Sequence, residues 1–156
     1  MSGMIAQALL AILAVLLLTA AVTDLRARTI ANRLNLAIAL LAPAYWWASG
    51  LVPWPDMALQ LLLGLAVFGI FAGLFAMGWM GGGDVKLLAA LALWLPLALM
   101  LKTILFMSLI GGALTLAYVA MHRLRKLRTN LEIPYGVAIA GAALCVIGEP
   151  YFNQLT

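Results

Sequence analysis

The chain is poor in most of what water-soluble catalytic domains draw on. Of its 156 residues, five are acidic, one is histidine and one is cysteine, and charged residues make up 9% of the whole. With one thiol, neither a disulfide framework nor a thiolate metal site can be built within the chain. Cys145 falls inside the last apolar segment, where a buried, inert thiol is expected. The one histidine, His122, sits in a basic stretch, so no Ser-His or Cys-His nucleophile is available. Nothing calls for a metal or a cofactor. The net charge of +4 does not read as a nucleic-acid surface, which needs a basic face on a soluble domain.

What the chain has is hydrocarbon. Hydrophobic residues make up 67% of it, and mean hydropathy is +1.14, far outside the range of soluble domains. Apolar segments run from Met4 to Val22, Leu34 to Val52, Met57 to Trp79, Leu87 to Leu101, Thr103 to Met121 and Ile133 to Phe152. The expected fold is therefore all-α, a polytopic membrane bundle of about six transmembrane helices of roughly 20 residues each. Residues 1–156 then form a single domain in which consecutive helices are antiparallel neighbours.

Basic residues cluster in alternate loops: Arg26, Arg28 and Arg33 after the first segment, Lys86 after the third, and Arg123, Arg125, Lys126 and Arg128 after the fifth. An N-terminus outside puts eight of the nine Lys/Arg residues in the cytoplasm and only Lys102 outside. No Lys or Arg precedes the first apolar run, so it reads as a retained helix, not a cleavable signal peptide.

Two acids stand out in this setting. Asp24 closes the first apolar segment, and Asp84 follows Gly81-Gly82-Gly83 at the junction of the third and fourth. The expected topology puts both at the cytoplasmic face, where helix packing can bring them together. A carboxylate in a membrane protein usually has a functional role. Two held close cannot both ionise easily, so the pair can carry one proton near neutrality. That is the arrangement of an aspartic protease, with one group as base towards water and the other as acid towards the peptide carbonyl. The three glycines suit this role, because residues without Cβ allow close backbone approach and φ > 0. A plain flexible turn is the alternative.

Gly81-Gly82-Gly83-Asp84-Val85-Lys86 resembles the Gly-x-Gly-Asp-x-Lys motif of the type IV prepilin peptidase family. Thr23-Asp24, the basic stretch after it, and Ile30-Ala31-Asn32 resemble that family's first aspartate motif, with Ala31 where proline is usual. Ile133-Pro134-Tyr135-Gly136 resembles its Pro-Tyr-Gly segment at the start of the last helix. The resemblance implies that Asp24 and Asp84 are catalytic. It also implies that Gly81, Gly82, Gly83, Lys86, Asn32, Pro134, Tyr135 and Gly136 shape the site or bind substrate.

The implied substrate is a prepilin or pseudopilin with a basic leader and a hydrophobic helix, cut at the cytoplasmic face of a bacterial inner membrane. Only Leu25 to Arg33 connects the first two segments, with no Cys-x-x-Cys segment of the kind larger members carry. Peptidase activity without N-methyltransferase activity is the expectation, as in the small enzymes of tight-adherence pilus systems.

Other residues keep two readings. Lys86 either tunes Asp84 or serves orientation and lipid headgroups. Asn32 and Asn35 either bind substrate backbone or, for Asn32, cap the second helix. Gly69, Gly73, Gly111 and Gly112 read as close helix contacts. Tyr45, Trp46, Trp47 and Trp54 read as an interfacial aromatic belt, and Glu149 lies near the outer end of the last segment. The competing functions are a small proton-coupled transporter or channel subunit, in which the two acids relay protons, and a non-enzymatic assembly subunit.

Overall fold

The computed structural model describes residues 2–125 and 134–152, and these form six α-helices. They are α1 (Ser2–Ala27), α2 (Asn32–Ala48), α3 (Ala58–Ala76), α4 (Gly82–Ala92), α5 (Leu97–Arg125) and α6 (Tyr135–Phe152), with a wide helical turn at Pro53–Met57 leading into α3. No strand occurs among the described residues. The helical segments beginning at Ser2, Pro53 and Leu97 are each long and apolar enough to cross a membrane. Ile133 and the basic residues after Arg125 lie outside the described part.

Two glycines set where helices stop. Gly50 and Gly78 take φ of 77° and 75° at the ends of α2 and α3. After each glycine the chain bonds back onto its helix: Gly50 and Leu51 donate to the Trp47 and Trp46 carbonyls, and Gly78 and Trp79 to those of Phe75 and Leu74. This paired pattern with a left-handed glycine needs a residue without Cβ. The positive φ expected within Gly81–Gly83 is thus found at Gly78. Gly81 is extended (φ −72°, ψ 141°), and Gly82 and Gly83 already belong to α4.

The core is built on regular stripes. Leu13, Leu17 and Ala20 are buried on α1, and Asp24 continues the same face. On α2 the buried positions are Asn35, Ile38, Ala42 and Trp46. Helix α6 contributes Ala138, Ala140, Ala142 and Ala143, small residues that admit close neighbours on both sides. It packs between α1 and α5, while α4 packs between α2 and α3 and also touches α6.

One boundary departs from the hydropathy reading. Lys102 was expected to divide a fourth span, Leu87 to Leu101, from a fifth, Thr103 to Met121, but α5 runs through it without a break. The chain turns earlier, at Leu93 to Pro96. Helix α4 therefore has 11 residues and rises only about 16 Å, well short of a hydrocarbon core of about 30 Å.

A helix ending inside such a bundle exposes carbonyls that no water can satisfy. Here side chains do so. Trp46 Nε1 donates to the Leu93 carbonyl at 2.6 Å, and Gln60 Nε2 donates to those of Ala92 and Leu95, both at 2.7 Å. Trp94 Nε1 reaches the Ile38 carbonyl at 2.9 Å, one residue before the carbonyl that Pro43 leaves without its intrahelical donor.

Several smaller expectations are corrected by this packing. Trp46 is buried rather than part of a belt and Tyr45 stacks on Trp94, whereas Trp47 and Trp54 are exposed. Cys145 is exposed, because the buried side of α6 is taken by its alanines and Val146. Of the four glycines read as contacts, only Gly111 meets neighbours, Tyr135 and Ala138. Gly69, Gly73 and Gly112 face open space, and the tight approach is at Gly64 against Leu93. Lys102 and Glu149 form an ion pair at the end of the bundle opposite Asp24.

The break at Leu93 generates the first test. Trp46→Phe removes one donor from a buried carbonyl and should lower the unfolding free energy by about 1–3 kcal/mol. Trp47→Phe on the exposed face should change it by less than about 0.5 kcal/mol. Reversible denaturation in detergent, followed by circular dichroism, measures both, and equal effects would remove the role given to the indole N–H.

Candidate active site

Asp24 sits at an electrostatically awkward place. It lies in the last turn of its own helix, where exposed carbonyls make the dipole end negative and disfavour a carboxylate. Its compensation comes from another helix. The N-terminus of α6 points at it, with the Val137 N–H donating to Asp24 Oδ2 at 3.3 Å and the Gly136 N–H also facing the carboxylate. Gly136 makes this approach possible, since a Cβ there would stand 2.9 Å from Asp24 Cγ and Oδ2.

Asp84 is placed in the opposite way. It lies in the first turn of α4, three residues after the N-cap Gly81, and accepts the Gly81 N–H. An acid at this position normally caps its helix. The close fit again depends on glycine: a Cβ on Gly81 would lie 2.9 Å from Asp84 Oδ2. Asp84 precedes the apolar run that begins at Leu87. Burial, with a further push from the charge of Asp24, raises its carboxyl to about 6.

Ile30 joins the two halves. Its Cβ would meet a Cβ on Gly83 at 3.3 Å, and its Cδ1 one on Gly136 at 2.7 Å, so the side chain lies against both glycine backbones at once. Ile30 is buried and follows Arg28, which takes the left-handed conformation at φ 53°. That conformation costs a non-glycine residue roughly 1–2 kcal/mol. The Arg28 guanidinium lies 5.3 Å from the centre of the Tyr118 ring.

The result is a cleft of about 630 Å³ lined by both aspartates, Arg28, the Thr29–Ile30 turn, Asn32, the Gly78–Gly83 segment and Tyr135. Of the residues expected at the site, Asp24, Asp84, Gly81, Gly82, Gly83, Asn32 and Tyr135 line this cleft. Gly136 backs it through Asp24, and Pro134 is buried just ahead of α6.

Lys86 does not line the cleft. Its Nζ donates to Asn32 Oδ1 at 2.8 Å, so Asn32 is bound to a lysine instead of capping α2, whose N-cap Ala31 has no side-chain bond. Asn35 is turned to the protein's own backbone, with Nδ2 donating to the Gly83 carbonyl at 3.1 Å. Sequence reasoning missed Ile30 and Gly78 as site-forming residues. A glycine three residues before Gly81 was the one available signal for the latter.

The two carboxylates thus share a cleft at one end of the bundle, one supported by a neighbouring helix and the other by its own. Such a pair can pass a proton in both directions. Comparison with known proteins gives one match: the model of the type IV leader peptidase family covers residues 11–116, which include Asp24, the glycine run and Asp84. No curated protein and no solved structure matches the chain.

The glycine contacts provide a test with opposite signs. Gly136→Ala drives a methyl into the Asp24 carboxylate and Ile30 and should destabilise the protein by about 1–3 kcal/mol. Gly112→Ala, in open space within α5, should leave stability unchanged or raise it by up to about 1 kcal/mol. Denaturation in detergent reads the difference, and a neutral Gly136→Ala would show that the close approach is not required.

Proposed function

The chain belongs to the type IV leader peptidase family, and from that premise we propose that it is a membrane aspartyl endopeptidase acting through Asp24 and Asp84. Its substrates are prepilins or pseudopilins, cut at the cytoplasmic face of the bacterial inner membrane between a basic leader and an apolar helix. The observation that carries this reading is the shared cleft: two acids 60 positions apart in sequence line one cavity, each against a glycine backbone.

Asp24, whose carboxylate accepts from the N–H groups at the start of α6, takes a proton from water as the oxygen attacks the peptide carbonyl. Asp84, whose carboxyl burial raises to about 6, donates to the carbonyl oxygen, and the pair then returns a proton to the departing amine. The Gly78–Gly83 wall accommodates an extended substrate backbone at close range. The pair supplies both acid and base, so the reading requires no metal or cofactor, and it includes no methyl transfer. A proton relay is less well supported, because the buried stripe of α1 beyond Asp24 is Ala20, Leu17 and Leu13, which offers no ionisable step towards the opposite end.

Asp24→Asn and Asp84→Asn should each abolish precursor cleavage with membrane levels of the protein unchanged, and the double variant should be no worse than either. Asp56→Asn, whose oxygen can still accept the Val52 N–H, is the control. Because the proton on Asp84 is lost above its raised value of about 6, cleavage should decline as pH increases through and beyond that point. Normal cleavage by a well-inserted Asp84→Asn protein rejects the mechanism. Orientation is tested separately: a cysteine at Arg26 should be labelled only from the cytoplasm and one at Pro55 only from outside.

A further inference from the structure

A second depression adjoins the cleft, with Asn32 as a wall of both. It is a groove of about 460 Å³ between α2, α3 and α4, polar at its mouth, where Asn32, Asn35 and Lys86 stand, and apolar beyond. Leu36, Leu61, Leu65 and Phe68 line it and are each about half exposed, as side chains facing lipid or a partner would be.

Asn35 distinguishes this groove from an ordinary furrow between helices. The residue is 4% exposed, its Nδ2 is committed to the Gly83 carbonyl, and its Oδ1 is buried with no donor. The amide cannot be turned over, because the Gly83 carbonyl can only accept. A buried acceptor without a donor is costly, so the site is complete only when something supplies a hydrogen-bond donor.

We infer that the groove seats the apolar helix of the precursor beyond the scissile bond, and that Asn35 Oδ1 accepts a peptide N–H where that chain passes from cleft to groove. The inference rests on the peptidase reading and adds the substrate's route to it. An acyl chain would fit the apolar walls but has no N–H to offer. A polypeptide that is extended in the cleft and helical beyond it has free N–H groups at that junction, because the first turn of any helix lacks intrahelical acceptors for them. Substrate and groove are complementary at this point, with unpaired donors on one side and an unpaired acceptor on the other. Asn32 differs from Asn35, since its own Oδ1 already accepts a hydrogen bond from Lys86 and is not left without a donor. From Lys86 to Leu93 the groove follows α4 for about 10 Å, enough for two turns of a bound helix.

The test uses the full-length Asp84→Asn protein in membranes with a precursor carrying a basic leader and an apolar helix. A photoreactive phenylalanine analogue is placed at Leu36, Leu61 or Leu65, or at Leu105 or Leu109 on the exposed face of α5. Cross-links from the groove positions to the apolar segment, with none from α5, are expected. Cross-links from α5 instead, or from neither set, overturn the assignment. In the otherwise unmodified protein, Ala39→Phe fills the groove and should raise KM for that precursor at least five-fold with kcat within two-fold. Gly112→Phe on α5 should change neither. Wild-type KM in a normally inserted Ala39→Phe protein sinks the groove assignment alone, whereas failure of the unmodified protein to cleave any precursor sinks the peptidase reading itself.

Discussion

Helix α4 is too short for the membrane it sits in, and much of the molecule answers that constraint. Eleven residues leave a helix end inside an apolar bundle, where an unpaired carbonyl costs several kcal/mol. The side chains that cover the end come from α2 and from the start of α3, which holds both helices against α4. At its other end α4 opens with three glycines and an acid, and Asn35 of α2 holds the Gly83 carbonyl. Helix α2 thus grips α4 at both ends, near Gly83 through Asn35 and near Leu93 through Trp46, and the span between the two grips is nearly equal on the two helices. The reactive end of α4 is thereby positioned by contacts along its whole length.

The two aspartates are supported by unlike means, and the difference matches the division of labour assigned to them. Asp24 occupies a position its own helix disfavours, so its anion depends on N–H groups lent by α6. Asp84 occupies a position that any helix tolerates, bonded to the N–H of its own N-cap Gly81. An acid that contributed only to folding would not be expected at the negative end of a helix, within contact of a backbone stripped of Cβ. That mismatch between local preference and actual placement is the kind that marks functional positions.

Much of this was legible in the sequence. Six apolar segments, the placing of both acids at one end and the use of glycine beside Asp84 followed from residue types and their order, whereas the closeness of Gly136 to Asp24 did not. The turn between α4 and α5 did not, because Leu93, Trp94 and Leu95 are as apolar as the helices they separate, and hydropathy sees a break only where polarity changes. The single charge nearby, Lys102, has the polarity of a loop residue, yet it lies within α5 and pairs with Glu149. Nor could position along the chain show that Trp46 and Gln60 are donors to carbonyls more than thirty residues away. The exchanged roles of Asn32 and Asn35 have the same origin: neighbouring asparagines look alike until the partners of each are known.

Ile30 brings a consequence for how the cleft can vary. It lies against Gly83 on one side and Gly136 on the other, and so between the helix that carries Asp84 and the helix that supports Asp24. The gap between the acids is therefore gauged by the thickness of one aliphatic side chain, much as a shim sets the clearance between two machined faces. Among relatives, a change of bulk at this position would have to be matched across both glycines together, making the three residues one unit of inheritance although they lie more than fifty positions apart.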